Sequence, residues 1–289
     1  MLAKLRDFCL SPATSARILK LRIFALVIEN TVKLDNIATA YSRNAGACVT
    51  KKFSASLPAG SFTCVLGTNG AGKSTLLRTL AGLQPPLSGH IYMLGRDIAL
   101  CSRQELARVA GIVLTERQAF SAQMTVEELV SLGRIPYTGF MGKLSVADRE
   151  IVENALARTG MKNMRTRKIS SLSDGEQQKT MIAKTLAQKT PIILLDEPTA
   201  FLDFESKLET FRLLRGLAKE NGKTVLAATH DLYMAFHAAD ILWVLQRGTK
   251  PVCGSPRELA AAGALDVFFK QPGVDFNRDE MSYSIFLDN

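Results

Sequence analysis

Gly67-Thr68-Asn69-Gly70-Ala71-Gly72-Lys73-Ser74 fits the pattern G-x-x-x-x-G-K-[ST]. Its glycines let the backbone curl so that successive N–H groups converge on one phosphate, and a following helix adds its positive N-terminal end. The Lys73 ammonium suits the β- and γ-phosphates of a nucleoside triphosphate, the Ser74 hydroxyl a magnesium ion, and Thr75 the α-phosphate side. A second set of groups stands later, where the apolar run Ile192 to Leu195 ends in Asp196 and Glu197. Carboxylates at the end of a buried parallel strand lie where open α/β sheets bind their ligands. Asp196 is expected to hold the metal with Ser74, and Glu197 to polarise an attacking water as general base. Taken singly, the first motif could be a Gly-rich turn and the second a solvated acidic turn. Together they describe transfer of a phosphoryl group to water.

Such groups need strands and helices to hold them. Val32 to Ala40 and Phe53 to Ser56 read as strands with partial alternation, joined by a polar loop at Ser42 to Ala47. Ser61 to Leu66 is a short apolar strand that feeds the Gly-rich turn, and Ser74 to Leu83 has helical spacing. Pro85, Pro86 and Ser88-Gly89 break that helix before a strand at Ile91 to Leu94. Val126, Leu129, Val130 and Leu132 form an amphipathic helix, followed by a loop rich in Gly, Pro and aromatic residues and a second helix over Asp148 to Thr159. Ile192 to Leu195 and Val225 to Ala228 are fully apolar, as central parallel strands are. Alternating strands and helices argue for an α/β sheet with an inserted helical part.

Composition narrows the class. With 289 residues, 47% of them hydrophobic, the chain can bury a sizeable core. The net charge of +9 raises nucleic acid as a partner. The basic residues form no run and no aromatic interleaving, so a solvated surface, a triphosphate site and nearby anionic lipid account for the charge, and no nucleic acid is expected. Cys9, Cys48, Cys64, Cys101 and Cys253 are scattered with no C-x-x-C pair, which favours a reducing compartment over disulfides or zinc. No stretch reaches the roughly 18 apolar residues that span a bilayer. Lys4 and Arg6 before Ile23 to Ile28 have the outline of a signal peptide, but the apolar run is short and no small-residue cleavage site follows. Residues 1–30 are read either as a flexible or short helical extension or as leader translated upstream of the true start. The second is preferred, because a strand-like pattern begins only near Thr31.

Leu172-Ser173-Asp174-Gly175-Glu176 resembles the L-S-G-G-Q signature of ABC ATPases, and the resemblance runs over residues 32–256. It implies an α/β fold with a P-loop NTPase (RecA-like) core, an N-terminal antiparallel β subdomain and an inserted α-helical subdomain at about 117–185. The ATPase domain would span 31–256, with 257–289 as a short C-terminal tail. ATP and Mg²⁺ are the implied cofactors. Tyr41 resembles the aromatic residue that stacks on adenine. Ala200-Phe201-Leu202-Asp203 resembles the loop whose Asp, here Asp203, couples two sites. His230 resembles the switch histidine that senses the γ-phosphate, and joins Glu197 and Lys73 as a catalytic group.

In ABC ATPases each ATP lies between the P-loop of one subunit and the signature of another. One P-loop leaves the outer face of the γ-phosphate wet, and a helix N-terminus with a Ser hydroxyl and Gly N–H groups closes the cage. Ser173, Asp174, Gly175 and Glu176 would therefore act in trans in a homodimer. Two departures stand out. Asp174 and Glu176 put acids where Gly and Gln are usual, with Lys179 a candidate to offset them. At the loop that couples nucleotide to the membrane partner, Leu114-Thr115 replaces Pro-Gln. Thr115 or Glu116 takes over, Gln118 reaches in, or the contact is lost.

Leu132-Gly133-Arg134-Ile135-Pro136-Tyr137, with Gly139-Phe140 after it and Leu186-Ala187-Gln188 later, is similar to the ATPase subunits of iron-siderophore, haem and cobalamin importers. That likeness implies integral membrane permease subunits as partners, a substrate-binding protein as an indirect one, and a peripheral position on the cytoplasmic face of a bacterial inner membrane. Val126, Leu129, Tyr137 and Phe140 are either residues of the groove that receives a permease helix or subdomain core. An ABC exporter subunit is the alternative. A soluble ABC protein of translation or DNA repair fits less well, since the chain has one P-loop and no coiled coil.

Overall fold

The computed structural model describes residues 30–40, 48–114, 123–139, 142–270 and 272–286. The N-terminal extension, Tyr41, Thr115, Glu116, Gln118 and Phe140 lie outside them. The chain enters in β1 (Asn30–Ala40), which pairs antiparallel with β2 (Cys48–Pro58) on one side and β4 (Ser88–Met93) on the other. A two-residue strand, β5 (Arg96–Asp97), completes the order β2-β1-β4-β5. This is the expected antiparallel β subdomain.

The second sheet carries the chemistry. It comprises β3 (Phe62–Gly67), β6 (Ala110–Val113), β7 (Ile192–Asp196), β8 (Thr224–Ala228), β9 (Ile241–Leu245) and β10 (Val252–Gly254), in the order β10-β9-β3-β8-β7-β6. Every neighbour pair is parallel except β10 with β9. All residues of β3, β7 and β8 are buried, so their near-continuous apolar sequence is that of strands covered on both faces. One face packs against the β subdomain and α1 (Lys73–Leu80), with Trp243 meeting the edge of Phe53 at 5.1 Å between ring centroids. The two sheets are also stitched by a 2.6 Å hydrogen bond between the buried Thr31 and Thr224 hydroxyls. On the other face lie α6 (Phe204–Lys219) and α7 (Leu232–Ala238).

Expected spans shift at the ends. The helix after the P-loop stops at Leu80 rather than Leu83, because Gly82 takes a left-handed φ of 69° and leaves Leu83 59% exposed. The helical insertion holds α3 (Val126–Ser131), a 3-10 segment over Leu132–Tyr137, α4 (Val146–Arg158) and α5 (Asp174–Ala187). Val126 and Leu129 are fully buried here, which settles them as core and removes them from any groove. The pattern did not mark α2 (Arg103–Val109), although its Ser102–Glu105 capping box is legible.

The last segment is no loose tail. After α8 (Pro256–Ala261), a 3-10 turn at Asp266–Phe268 leads into a hairpin of β11 (Val274–Asn277) and β12 (Ser282–Ile285). Phe269 stacks on Phe276 at 4.3 Å, and both reach Phe236 of α7. Aromatic burial of this size is what binds the segment to the core. Among the described residues, no helix is long and apolar enough to cross a membrane.

Candidate nucleotide site

β3 ends at Gly67 and α1 starts at Lys73, so the Gly-rich turn is set between a buried strand and a helix N-terminus. Gly67 must lack a Cβ, since one would sit 2.6 Å from the Leu245 carbonyl oxygen. Gly72, the residue before α1, has a φ of 96° that a side chain rarely tolerates. The turn opens onto a cavity of about 310 Å³ lined by Asn69 to Thr75, Arg78, Asp196, Glu197 and His230. Residues from the end of β3, the end of β7 and the loop after β8 thus converge. Arg78 was not anticipated, although it lies on α1 one turn after Ser74, the spacing that puts two side chains on one face.

Lys73 is 7% exposed and donates to the Gly67 carbonyl at 2.9 Å. Its Nζ also lies 3.1 Å from His230 Nε2 and 3.9 Å from Glu197 Oε1. Burial holds its pKa below the usual lysine value, and the Glu197 and Asp196 charges pull it back. The Ser74 hydroxyl donates to Asp196 Oδ1 at 3.0 Å. Glu197 has a left-handed φ of 49°, its N–H tied to the Ala228 carbonyl at 2.9 Å. Such a backbone state in a non-glycine residue is costly and is concentrated at functional sites.

Glu197 Oε2 accepts the His230 N–H at 3.3 Å, while Oε1 is buried 3.0 Å from His230 Nε2 without a well-aligned hydrogen bond. Burial pushes the Glu197 carboxyl up to about 7; Lys73 opposes the rise, and Asp196 adds to it. A carboxylate with that value can take a proton at neutral pH, as a general base must. Burial, then the Lys73 charge, holds His230 below its ordinary pKa, which favours the neutral ring. The arrangement offers a lysine charge and backbone amides for phosphate, a hydroxyl–carboxylate pair for a hard cation, and a basic carboxylate beside a histidine.

The protein-family model described as ABC transporter matches residues 50–200. The chain belongs to the ABC transporter family. It is 37% identical to the ferric enterobactin transport ATP-binding protein FepC of Escherichia coli K12 over 75% of this chain and 80% of that one. It is 35% identical to the iron(3+)-hydroxamate import ATP-binding protein FhuC of Bacillus subtilis, over 83% and 88%. A dimeric bacterial ABC transporter cassette superposes with a TM-score of 0.68 at 27% identity, covering 78% of this chain and 98% of that one. This ABC subunit is therefore an ATP-binding, ATP-hydrolysing enzyme with the ABC cassette fold.

The segment that resembles the ABC signature does not line the cavity of its own chain: none of Ser173, Asp174, Gly175 and Glu176 is among the lining residues. Ser173 caps α5, its hydroxyl accepting the Glu176 N–H at 3.3 Å while Glu176 Oε2 accepts the Ser173 N–H at 2.8 Å. Glu176 is thus turned back on its own helix, and Arg167, at 3.6 Å, is the cation beside it. Lys179, one candidate for that role, is engaged with Glu209 at 2.5 Å. Asp203 caps α6 by accepting the Ser206 N–H at 2.8 Å, and that bond lowers its pKa.

Proposed function

We propose that two copies of this subunit close over two ATP molecules and drive uptake of an iron-siderophore, haem or cobalamin-type substrate. Uptake would pass through separate permease subunits at the cytoplasmic face of a bacterial inner membrane. The observation that carries the reading is the cavity itself: it gathers Lys73, Ser74, Asp196, Glu197 and His230 and leaves its own signature outside. In this reading Asn69, Gly70 and Ala71 present backbone amides with Gly67 and Thr68, and Thr75 lies on the α-phosphate side. Ser173, Asp174, Gly175 and Glu176 act from the second copy, and Asp203 couples the two sites. Tyr41 stacks on adenine, and Thr115 or Glu116 takes part in the coupling loop.

The Ser74–Asp196 pair fits Mg²⁺, a hard cation held by one or two protein oxygens plus phosphates. Bound there, the ion would neutralise charge developing on the phosphate oxygens. The protein's own part is to hold ATP through Lys73 and the amides, and to accept the water proton at Glu197. His230 keeps that carboxylate oriented through its backbone N–H.

FhuC, an import ATP-binding protein by name, and FepC support the importer reading. For the permease, the candidate surface is a groove of about 950 Å³ between α3, α4 and the 3-10 segment. Leu132, Ile135 and Leu144 are among its apolar lining residues, together with the Glu127–Arg165 ion pair. Tyr137 stands apart, stacked 4.2 Å from the Arg134 guanidinium. Co-purification with the permease, followed by ATPase assays with substrate-loaded binding protein, tests the importer reading. Stimulation of turnover is expected, and stimulation by an exported compound instead would contradict it.

A further inference from the structure

Two large aromatic side chains stand in water on either side of Asp203. Phe201 is 80% exposed and Phe204 68%. Phe201 also holds a left-handed backbone, φ 65°, which a bulky residue keeps only where its surroundings impose it. Single exposed apolar residues need no explanation, but two large aromatics three residues apart, one on a strained loop and one opening α6, do. The loop adjoins the signature: a Cβ on Gly175 would lie 3.4 Å from Ser206 Oγ and 3.7 Å from Leu202 Cδ2.

A receptor of matching character lies beside the P-loop. A second cavity, of about 240 Å³, shares His230 with the nucleotide cavity, begins at Gly67 and Thr68 of the P-loop, and is walled by Leu232, Val267 and Phe268 with Thr229 and Lys270 beside them. Val267 and Phe268 come from the C-terminal segment that the aromatic cluster pins to α7. That segment has no part in the ATP chemistry described above.

We propose that the Phe201/Phe204 pair of each copy seats against Leu232, Val267 and Phe268 of a second copy. The inference rests on the two-copy reading. If the signature of one copy caps the P-loop of the other, whatever flanks the signature must face whatever flanks the P-loop. A two-fold axis then makes the contact twice. The occupant is a second copy rather than the permease because both halves of the contact are continuous with the nucleotide face, whereas the α3–α4 groove belongs to a different part of the molecule. The C-terminal segment thereby becomes part of the ATP-dependent interface.

The dimer dissociation constant, measured by sedimentation velocity with ATP in a Glu197→Gln background, tests this. Phe201→Ser with Phe204→Ser should weaken the dimer about 30-fold or more, the scale of aromatic interface anchors. Binding of a fluorescent ATP analogue to the monomer should be unchanged. Phe268→Ser should weaken the dimer as well, and its effect should not add to that of Phe201→Ser, as for residues in contact. Phe268→Leu, which keeps the wall apolar, serves if Phe268→Ser misfolds, and should give a smaller loss with the same non-additivity. A Glu197→Gln parent that binds ATP yet stays monomeric would defeat the two-copy reading itself. A parent that dimerises, with the Phe variants dimerising equally or adding independently, would overturn only this contact.

Discussion

In the proposed mechanism Glu197 is the residue on which the chemistry turns, and its environment makes pH the natural probe. With its carboxyl raised to about 7, turnover should fall as pH drops below neutrality, and the acid limb of the ATPase profile reports this. The same shift bears on stability. The unfolded value is near 4.5, so the folded state retains a proton across the window from about 4.5 to 7, and stability is lost as pH rises through it. Glu197→Gln should therefore melt a few degrees above the parent at pH 8 without nucleotide, with the difference vanishing near pH 4.5. Lys73→Ala should abolish hydrolysis; undiminished turnover would remove Lys73 from the mechanism. That Lys73, Ser74, Asp196 and Glu197 meet in one cavity was legible from spacing alone, because a P-loop and an acid-ended strand are each local patterns. The Arg167–Glu176 contact was not. Lys179 recommended itself by lying on the same helix, but the capping box turns Glu176 the other way.

At the scale of elements, the 3-10 segment after α3 is fastened to the end of the signature helix α5. Arg134, 5% exposed, gives one bond to Asp148 Oδ1 at 2.8 Å and one to the Ala187 carbonyl at 2.8 Å. Arg134→Met leaves both acceptors without that partner, and chemical denaturation should show a loss of about 3 kcal/mol. Gly133→Ala places a Cβ 2.2 Å from the Lys184 carbonyl, backbone against backbone, and should cost at least about 1–3 kcal/mol in the same assay. None of this was readable from periodicity, because the partners are brought together only when α4 and α5 pack around the 3-10 segment. The central strands were readable, since burial on both faces leaves an uninterrupted apolar run. Element ends were read less well: whether Leu83 continues a helix depends on the Gly82 backbone, not on the Leu83 side chain.

For the whole molecule, the halves of the proposed two-copy site are apart in one chain: the P-loop and His230 line one cavity, and Ser173 to Glu176 lie outside it. The sequence likeness implies that the outer half comes from a second copy. It did not anticipate that the segment carrying Phe269 and Phe276 packs on α7, because both are far from Phe236 in sequence and meet it only in the fold. An enzyme whose active site is shared between two copies must lose activity on dilution. The ATPase rate of the isolated subunit, followed at saturating ATP as protein is diluted below the dimer dissociation constant, tests the account most directly. The rate should fall with the square of the protein concentration. A rate strictly proportional to concentration, at every dilution and with the subunit monomeric throughout, would contradict it.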